Sequence, residues 1–429
     1  MDITQFTSLD IPVDYTFGLH NNLLSSMSLP QFYQPEYFHH EVTPATSITN
    51  QKSSGRCWIF AGLNMLRRDI ANNQYNFKPE TSFEFSQSYL FFWDKLERMN
   101  YLIDSMEKFY ENKYDINDRT VQFMLKDPFG DGGQWSMFEN LVNKYGLVPK
   151  SAYPESTHSS NSRGINMVLS KMFRNYVSKI FKGKTLNKKD FLKKVYLTLV
   201  RFFGKPPSEF KFEYKSGLNV KKSDLTSKRF TPIEFKNFCK INMDKYVSVV
   251  HDPRNEYLGL YTVDKLNNMV DGNIVKYLNL NMERVQELTK LALDKNDPVW
   301  FGSDVGQYFS RDKDMLDENV FAYEKYLDLD ITMNKQDRIN SGDSIPSHAM
   351  VYTGYHLDEF GNIDYWKIEN SWGKRGKYDG HLVCSNKWFR EFTYQVVIDK
   401  SLLSDEEREI WNAKHLTTLP LWDPLGTLA

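Results

Sequence analysis

Cysteine is scarce in this 429-residue chain: only Cys57, Cys239 and Cys384 occur. Three scattered thiols supply neither a disulfide framework nor a cysteine-rich zinc site, and they favour a reducing compartment. The opening segment, "MDITQFTSLDIPVDYTFGLH", lacks a basic stretch followed by an apolar run, so no secretory signal is read there. No apolar run approaches the roughly 20 residues that a membrane-spanning helix needs, and there is no Asn-x-Ser/Thr acceptor. These absences lead to the expectation of a cytoplasmic protein that does not engage a membrane. An excess of charge of one sign is missing as well. The formal net charge is −1, so the molecule as a whole advertises no polyanion partner. His39 and His40 are accompanied by no H-E-x-x-H or C-x-x-C pattern and read as a plain polar pair, so no metal is expected.

What is present is a chain long enough to bury a large core, as two or three domains or as one domain with a big insertion. Aromatic residues are abundant at 15%. Residues 1 to about 50, punctuated by Pro30, Pro35 and Pro44, read as an arm. A helix is predicted from Cys57 to Arg68, with Ile59, Phe60, Leu63 and Leu66 on its apolar stripe. A second begins after Ser86, a fitting N-cap, and carries Tyr89, Trp93, Leu96, Met99, Ile103, Met106 and Tyr110 at spacings of three or four. A third runs through "SMFENLVNKYG" and stops at Gly146. The last third reads as strands: "PVWFGSDV", then "HAMVYTGYHLDEFGNIDYWKIENSWG" as two strands turning near Gly361 and Asn362, then "HLVCSNKWF" and "YQVVID". Helices first and strands last predict an α+β fold with a cleft between the two parts.

Charge is unevenly spread. Residues 171–222 hold fifteen Lys or Arg against three acidic residues. Phe191, Val195, Tyr196, Leu199 and Val200 alternate with the lysines in helical fashion, as on an ordinary amphipathic helix. The segment reads as an inserted basic subdomain.

The chemistry concentrates in "QKSSGRCWIFAGLNMLRR", residues 51–68. A thiol attacks only as thiolate, and a helix N-terminus favours that charge, so Cys57 is placed to be a nucleophile. It still needs a base. His348 opens a predicted strand, where an imidazole can face a cleft. Asn370 follows twenty-two residues on, at the end of the returning strand. Its amide oxygen can accept the ring N–H and fix the tautomer, with Trp372 shielding that bond. Gln51 can join the Cys57 N–H as an oxyanion donor. Cys239 and Cys384 have no such setting and read as packing residues. The "DGGQW" loop is either a turn or, at Gly132 and Gly133, a place where backbone approaches an extended ligand.

"QKSSGRCWIFAGLNMLRR", "DGGQW", "SHAMVYTGY" and "IENSWG" resemble the papain-like cysteine peptidases. "FSQSYLFFWDKLER", "PVWFGSDVG" and the closing "LWDPLGTLA" resemble their bleomycin hydrolase and aminopeptidase C branch, over nearly the whole of residues 1–429. The resemblance implies a papain-like fold and a cysteine aminopeptidase with Cys57, His348, Asn370 and Gln51 as its catalytic set and no cofactor. It implies peptide substrates with a free N-terminus, bound along Gly132 and Gly133. Residues 420–429 would form an arm that enters the cleft, with the α-carboxylate of Ala429 meeting the substrate α-ammonium. Residues 171–222 would serve assembly of a homohexamer and bind nucleic acid weakly and without sequence preference. Rival readings are an endopeptidase or acyl transferase on the same fold, or a basic nucleic-acid-binding cage. Two features depart from the papain pattern. Ser54, Gly55 and Arg56 stand where a second cysteine would precede Cys57, and 291 residues separate Cys57 from His348, against roughly 130–150 in papain-like enzymes.

Overall fold

The structure, a computed structural model, describes Phe6, residues 33–73, Phe77, residues 79–215 and residues 225–427. Its helical part is built on α1 (Cys57–Asn73), α2 (Gln87–Glu111), α3 (Arg119–Lys126), α4 (Trp135–Tyr145), α5 (Arg163–Ile180) and α6 (Lys188–Phe203). Ser86 caps α2 as expected, its side chain accepting from the Tyr89 N–H, and α4 ends at Gly146 with φ 71°. Helix α1 is buried on all sides between α2, α4 and the sheet.

The basic segment is part of this helical layer. Helices α5 and α6 pack on α2 and bury Ile165, Leu169, Phe173, Val195, Leu199 and Phe203 in the same core. Lys189, Lys193 and Lys194 remain exposed on the outer face of α6. A hairpin of β2 (Phe210–Lys215) and β3 (Leu225–Phe230) follows; residues 216–222 of the segment lie outside the described residues.

The other part is one mixed sheet. Its strands are β1 (His40–Glu41), β4 (Tyr246–Val250), β5 (Gly259–Val263), β6 (Tyr277–Asn279), β7 (Val299–Ser303), β8 (Phe309–Ser310), β9 (Met315–Leu316), β10 (His348–Leu357), β11 (Ile363–Glu369), β12 (His381–Ser385), β13 (Thr393–Asp399) and β14 (Thr417–Leu419). They run in the order β14-β5-β6-β4-β13-β7-β10-β11-β12-β9-β8, with β1 also on β10. The β10–β11 pair turns where expected, with Gly361 at φ 83°. The expected strand over "HLVCSNKWF" is only half strand: Ser385 caps a short helix, Asn386–Phe392, by accepting from the Trp388 N–H. An N-cap hydroxyl satisfies an otherwise orphaned donor and so ends the strand there.

Alternation explains the central strands. Trp300, Ala349, Val351 and Val397 face the helical core. Val299, Phe301, Met350, Tyr352, Val396 and Ile398 face a second core completed by α7 (Met282–Asp294). Both faces are covered, so these strands are apolar throughout.

Candidate active site

Helix α1 begins at the cysteine. The Arg56 carbonyl takes the first helical bonds, from the N–H groups of Ile59 and Phe60 at 3.0 Å each. The N–H groups of Cys57 and Trp58 are left without intrahelical partners. Together with the Ala349 N–H at the start of β10 they favour the charged form of the Cys57 sulfur, whose thiol lies 3.9 Å from the Gly55 carbonyl. The thiol of α1 and the first turn of backbone after His348 are therefore in contact, across 291 residues.

His348 Nε2 lies 3.0 Å from Asn370 Oδ1. That oxygen also accepts the Ser371 N–H at 2.7 Å, which fixes the amide with its oxygen toward the ring. A ring nitrogen facing an acceptor carries the proton, so Nδ1 is the basic nitrogen. Trp372 stacks beside the imidazole at 5.0 Å between centroids, tilted by 33°. Burial pushes the Cys57 thiol up to about 11, against the pull of the three backbone N–H groups. Burial likewise pushes the His348 imidazole down to about 4, against the pull of Asn370. A lone thiolate or a lone imidazolium is thus disfavoured here.

Gln51 is oriented by a residue the sequence reading passed over. Ser371 Oγ donates to Gln51 Oε1 at 2.6 Å, and Gln51 Nε2 donates to the Ser54 carbonyl at 2.6 Å. One amide N–H is used there; the other is available to an oxyanion.

The loop "DGGQW" is locked to α1. Asp131 accepts from the Gly55 N–H at 2.9 Å and from Lys95 Nζ at 2.9 Å. Its own carbonyl takes the Trp58 indole N–H at 2.7 Å. Burial would raise this carboxyl, but Lys95, Ser162 and Asn166 hold it far below the usual carboxylate range. A Cβ on Gly133 would lie 2.6 Å from the Trp58 indole, so close packing alone requires glycine there. Gly132 passes its carbonyl to Arg98 Nη2 at 2.9 Å.

Three further features were not legible as site residues. Arg67 and Arg68 on α1 both grip Glu369, the residue before Asn370, with Arg67 Nη2 at 2.9 Å from Oε1 and Arg68 Nε at 2.6 Å from Oε2. Asp304 collects Ser344 Oγ at 2.9 Å and Ser347 Oγ at 3.1 Å, fixing the loop that leads into His348. Arg56, which directly precedes Cys57, is fully buried and pairs with Glu155 at 3.0 Å.

The C-terminal arm is held by Arg119 over the Trp422 ring at 3.7 Å, by Arg254 on Asp423 at 2.9 Å and by buried Leu425. The expectation for Ala429 falls outside the described residues. Cys239 and Cys384 are buried, and burial pushes both thiols up. His40 pairs in β1, and His39 Nδ1 accepts the Leu357 N–H at 2.9 Å. A surface cavity of about 750 Å³ between α3 and α5 is lined by Arg119 but by none of Gln51, Cys57, His348 and Asn370.

Residues 18–426 match the Peptidase C1-like family. The chain belongs to that family. Among its relatives, Aminopeptidase C of Lactococcus lactis subsp. cremoris is 40% identical over 393 residues, covering 89% of this chain and 87% of its own. Bleomycin hydrolase of Gallus gallus is 36% identical, covering 92% and 89%. The crystal structure of PepW from Lactobacillus rhamnosis HN001 superimposes with a TM-score of 0.85 at 37% identity, covering 95% and 91%. This Peptidase C1-like chain therefore has the papain-like α+β fold of a cysteine peptidase, as the sequence led us to expect. Among the described residues no helix is long and apolar enough to cross a membrane.

Proposed function

We propose that the protein is a cytoplasmic cysteine aminopeptidase of the bleomycin hydrolase type. The observation that carries the reading is the meeting of Cys57, at its helix start, with the strand that bears His348, whose ring is bonded to Asn370. The names Aminopeptidase C and Bleomycin hydrolase among the relatives favour this activity.

In this mechanism the Cys57 proton passes to His348 Nδ1 and the sulfur attacks the scissile carbonyl. Gln51 Nε2 and the Cys57 N–H hold the oxyanion. The C–N bond breaks as Nδ1–H protonates the leaving amine, which leaves a thioester. Water, deprotonated by His348, cleaves the thioester, releases the amino acid and returns the thiol. Gly132 and Gly133 flank the non-primed side. The arm through Thr427 narrows that side, so that a substrate presents its free N-terminus there.

The test is hydrolysis of aminoacyl fluorogenic amides with and without an N-terminal block. Cleavage confined to the unblocked series is expected; equal cleavage of both would make the protein an endopeptidase.

The pH dependence follows from the two shifts. The working pair holds one proton, shared between sulfur and nitrogen. With His348 near 4 and Cys57 near 11, a second proton is added only below about pH 4 and the single one is lost only near pH 11. We expect kcat/KM to be flat through neutrality with an acid limb close to pH 4. A limb at the ordinary imidazole value of about 6.5 would show an imidazole that is not desolvated.

Asn370→Ala should lower kcat by about 10- to 100-fold with a smaller change in KM, because orientation of the base matters chiefly in the transition state. Unchanged kcat would remove Asn370 from the mechanism.

Weak polyanion binding by residues 171–222 is proposed on the exposed lysines of α6, and their role in a homohexamer is tested separately by the oligomer size of a deletion of roughly residues 175–225, where a still hexameric product would contradict it. Heparin retention by this face should fall steeply with salt, as counterion release requires; retention that survives high salt would contradict it.

A further inference from the structure

Gln134 closes the "DGGQW" loop and caps α4 without a side-chain bond to the helix. Its side chain is 2% exposed. Nε2 donates to the Thr427 carbonyl at 2.7 Å, across 293 residues, and Oε1 has no partner among the described residues. The amide therefore does nothing for the loop or helix that carries it. Its one described side-chain bond is to the C-terminal arm.

The arm does not need that bond to fold. Asp423 caps the turn Pro424–Gly426 and pairs with Arg254, and Tyr277 Oη donates to the Leu425 carbonyl at 3.4 Å. Gly426 lies so close to Val263 that a Cβ would stand 2.9 Å from it. The Thr427 N–H closes the turn by donating to the Pro424 carbonyl at 3.0 Å, which leaves its own carbonyl to be fixed from outside the arm. Thr427 is the last described residue, and the bond that aims its carbonyl comes from Gln134. The preceding residue, Gly133, packs on the indole of Trp58, next to Cys57.

We propose that Gln134 is a positioning residue that directs the end of the arm against the substrate loop and so sets which peptides enter. This rests on the reading above that the arm bounds the non-primed side. Gln134 acts through Thr427. Without the amide donor the turn Pro424–Gly426 stays in place, while the Thr427 carbonyl loses the partner that fixes its direction. Substrates that extend past the first residue then gain access.

The test is a double-mutant cycle on the full-length chain. Gln134→Met keeps length and volume but cannot donate, and Gln134→Leu serves if the Met variant does not fold, as judged by its circular dichroism. The second change is deletion of residues 427–429. The readout is the ratio of kcat/KM for an N-blocked aminoacyl amide to that for the free one. We expect Gln134→Met to raise the ratio about three- to tenfold, the range that loss of one hydrogen bond permits. The deletion should raise it further, and Gln134→Met should add nothing in the deleted background. A ratio that rises on deletion but not in Gln134→Met overturns the proposal and leaves the arm reading standing. An equal effect of Gln134→Met in both backgrounds also overturns it, since Gln134 would then act through the loop. A ratio untouched by deletion overturns the arm reading and the proposal together.

Discussion

Cys57→Ser is expected to lower kcat/KM for aminoacyl amides by at least about 10⁴-fold, because loss of the nucleophile removes every covalent step while oxyanion donors and binding remain. Serine is smaller than cysteine by one row of the periodic table and keeps the helix start intact. The backbone N–H groups of Trp58 and Ala349 that favour the charged form of the sulfur can serve a hydroxyl in the same way. The loss should therefore be chemical, with the far-ultraviolet circular dichroism and unfolding midpoint of the parent. The hydroxyl, unlike the thiol, gives up its proton to a buried imidazole only at much higher cost. A variant that keeps even a tenth of the activity would move the nucleophile elsewhere, and among the described residues no histidine bears on the Cys239 or Cys384 thiol.

The second large effect concerns the joint between the two halves. Glu369 is fully buried and holds Arg67 and Arg68, whose side chains are 2% exposed. Removing its charge leaves two guanidinium groups buried without their counter-ion, and breaking a buried pair in this way costs about 3–5 kcal/mol. Arg67 keeps a bond to the Phe83 carbonyl and Arg68 one to the Val42 carbonyl, which soften the loss without supplying charge. Glu369→Gln should lower the urea midpoint accordingly and cut activity, since Asn370 is the next residue. The pH dependence has a definite sign. Burial raises the Glu369 carboxyl, but Arg68 and Arg67 bring it below the ordinary glutamate value. Its contribution is present above that ordinary value and is lost as pH falls through the depressed one. The variant should lack this share of the acid sensitivity. A variant as stable as the parent would mean that the two arginines do not depend on the carboxylate.

Cys57, His348 and Asn370 could be picked out as candidates because each sits at a landmark that sequence patterns reveal, a helix start or a strand end, while Gln51 lies in the loop before α1 and was picked out by its place six residues ahead of the cysteine. Their supports were not. Ser371 reaches Gln51 across 320 residues and Arg67 reaches Glu369 across 302, so no local spacing marks them. A buried arginine in an apolar helix reads as a polar face until its partner is known. The helices α1, α2, α4 and α6 declared themselves by their periodicity. Strands β4 to β6 did not, because "YVSVV" is buried on both faces and lacks the alternation that marks a half-exposed strand. The basic stretch read as a separate unit on charge alone. Its apolar residues join the core shared with α2, a fact that charge counting does not carry.

The central claim is that acyl transfer goes through Cys57. Quenching the enzyme in acid during turnover of an aminoacyl ester, followed by peptide mapping by mass spectrometry, tests it directly. The account predicts an aminoacyl thioester on the peptide that contains Cys57, with Cys239 and Cys384 unmodified and no adduct in Cys57→Ala. An adduct on another residue, or steady hydrolysis by the Cys57→Ala protein, would contradict it.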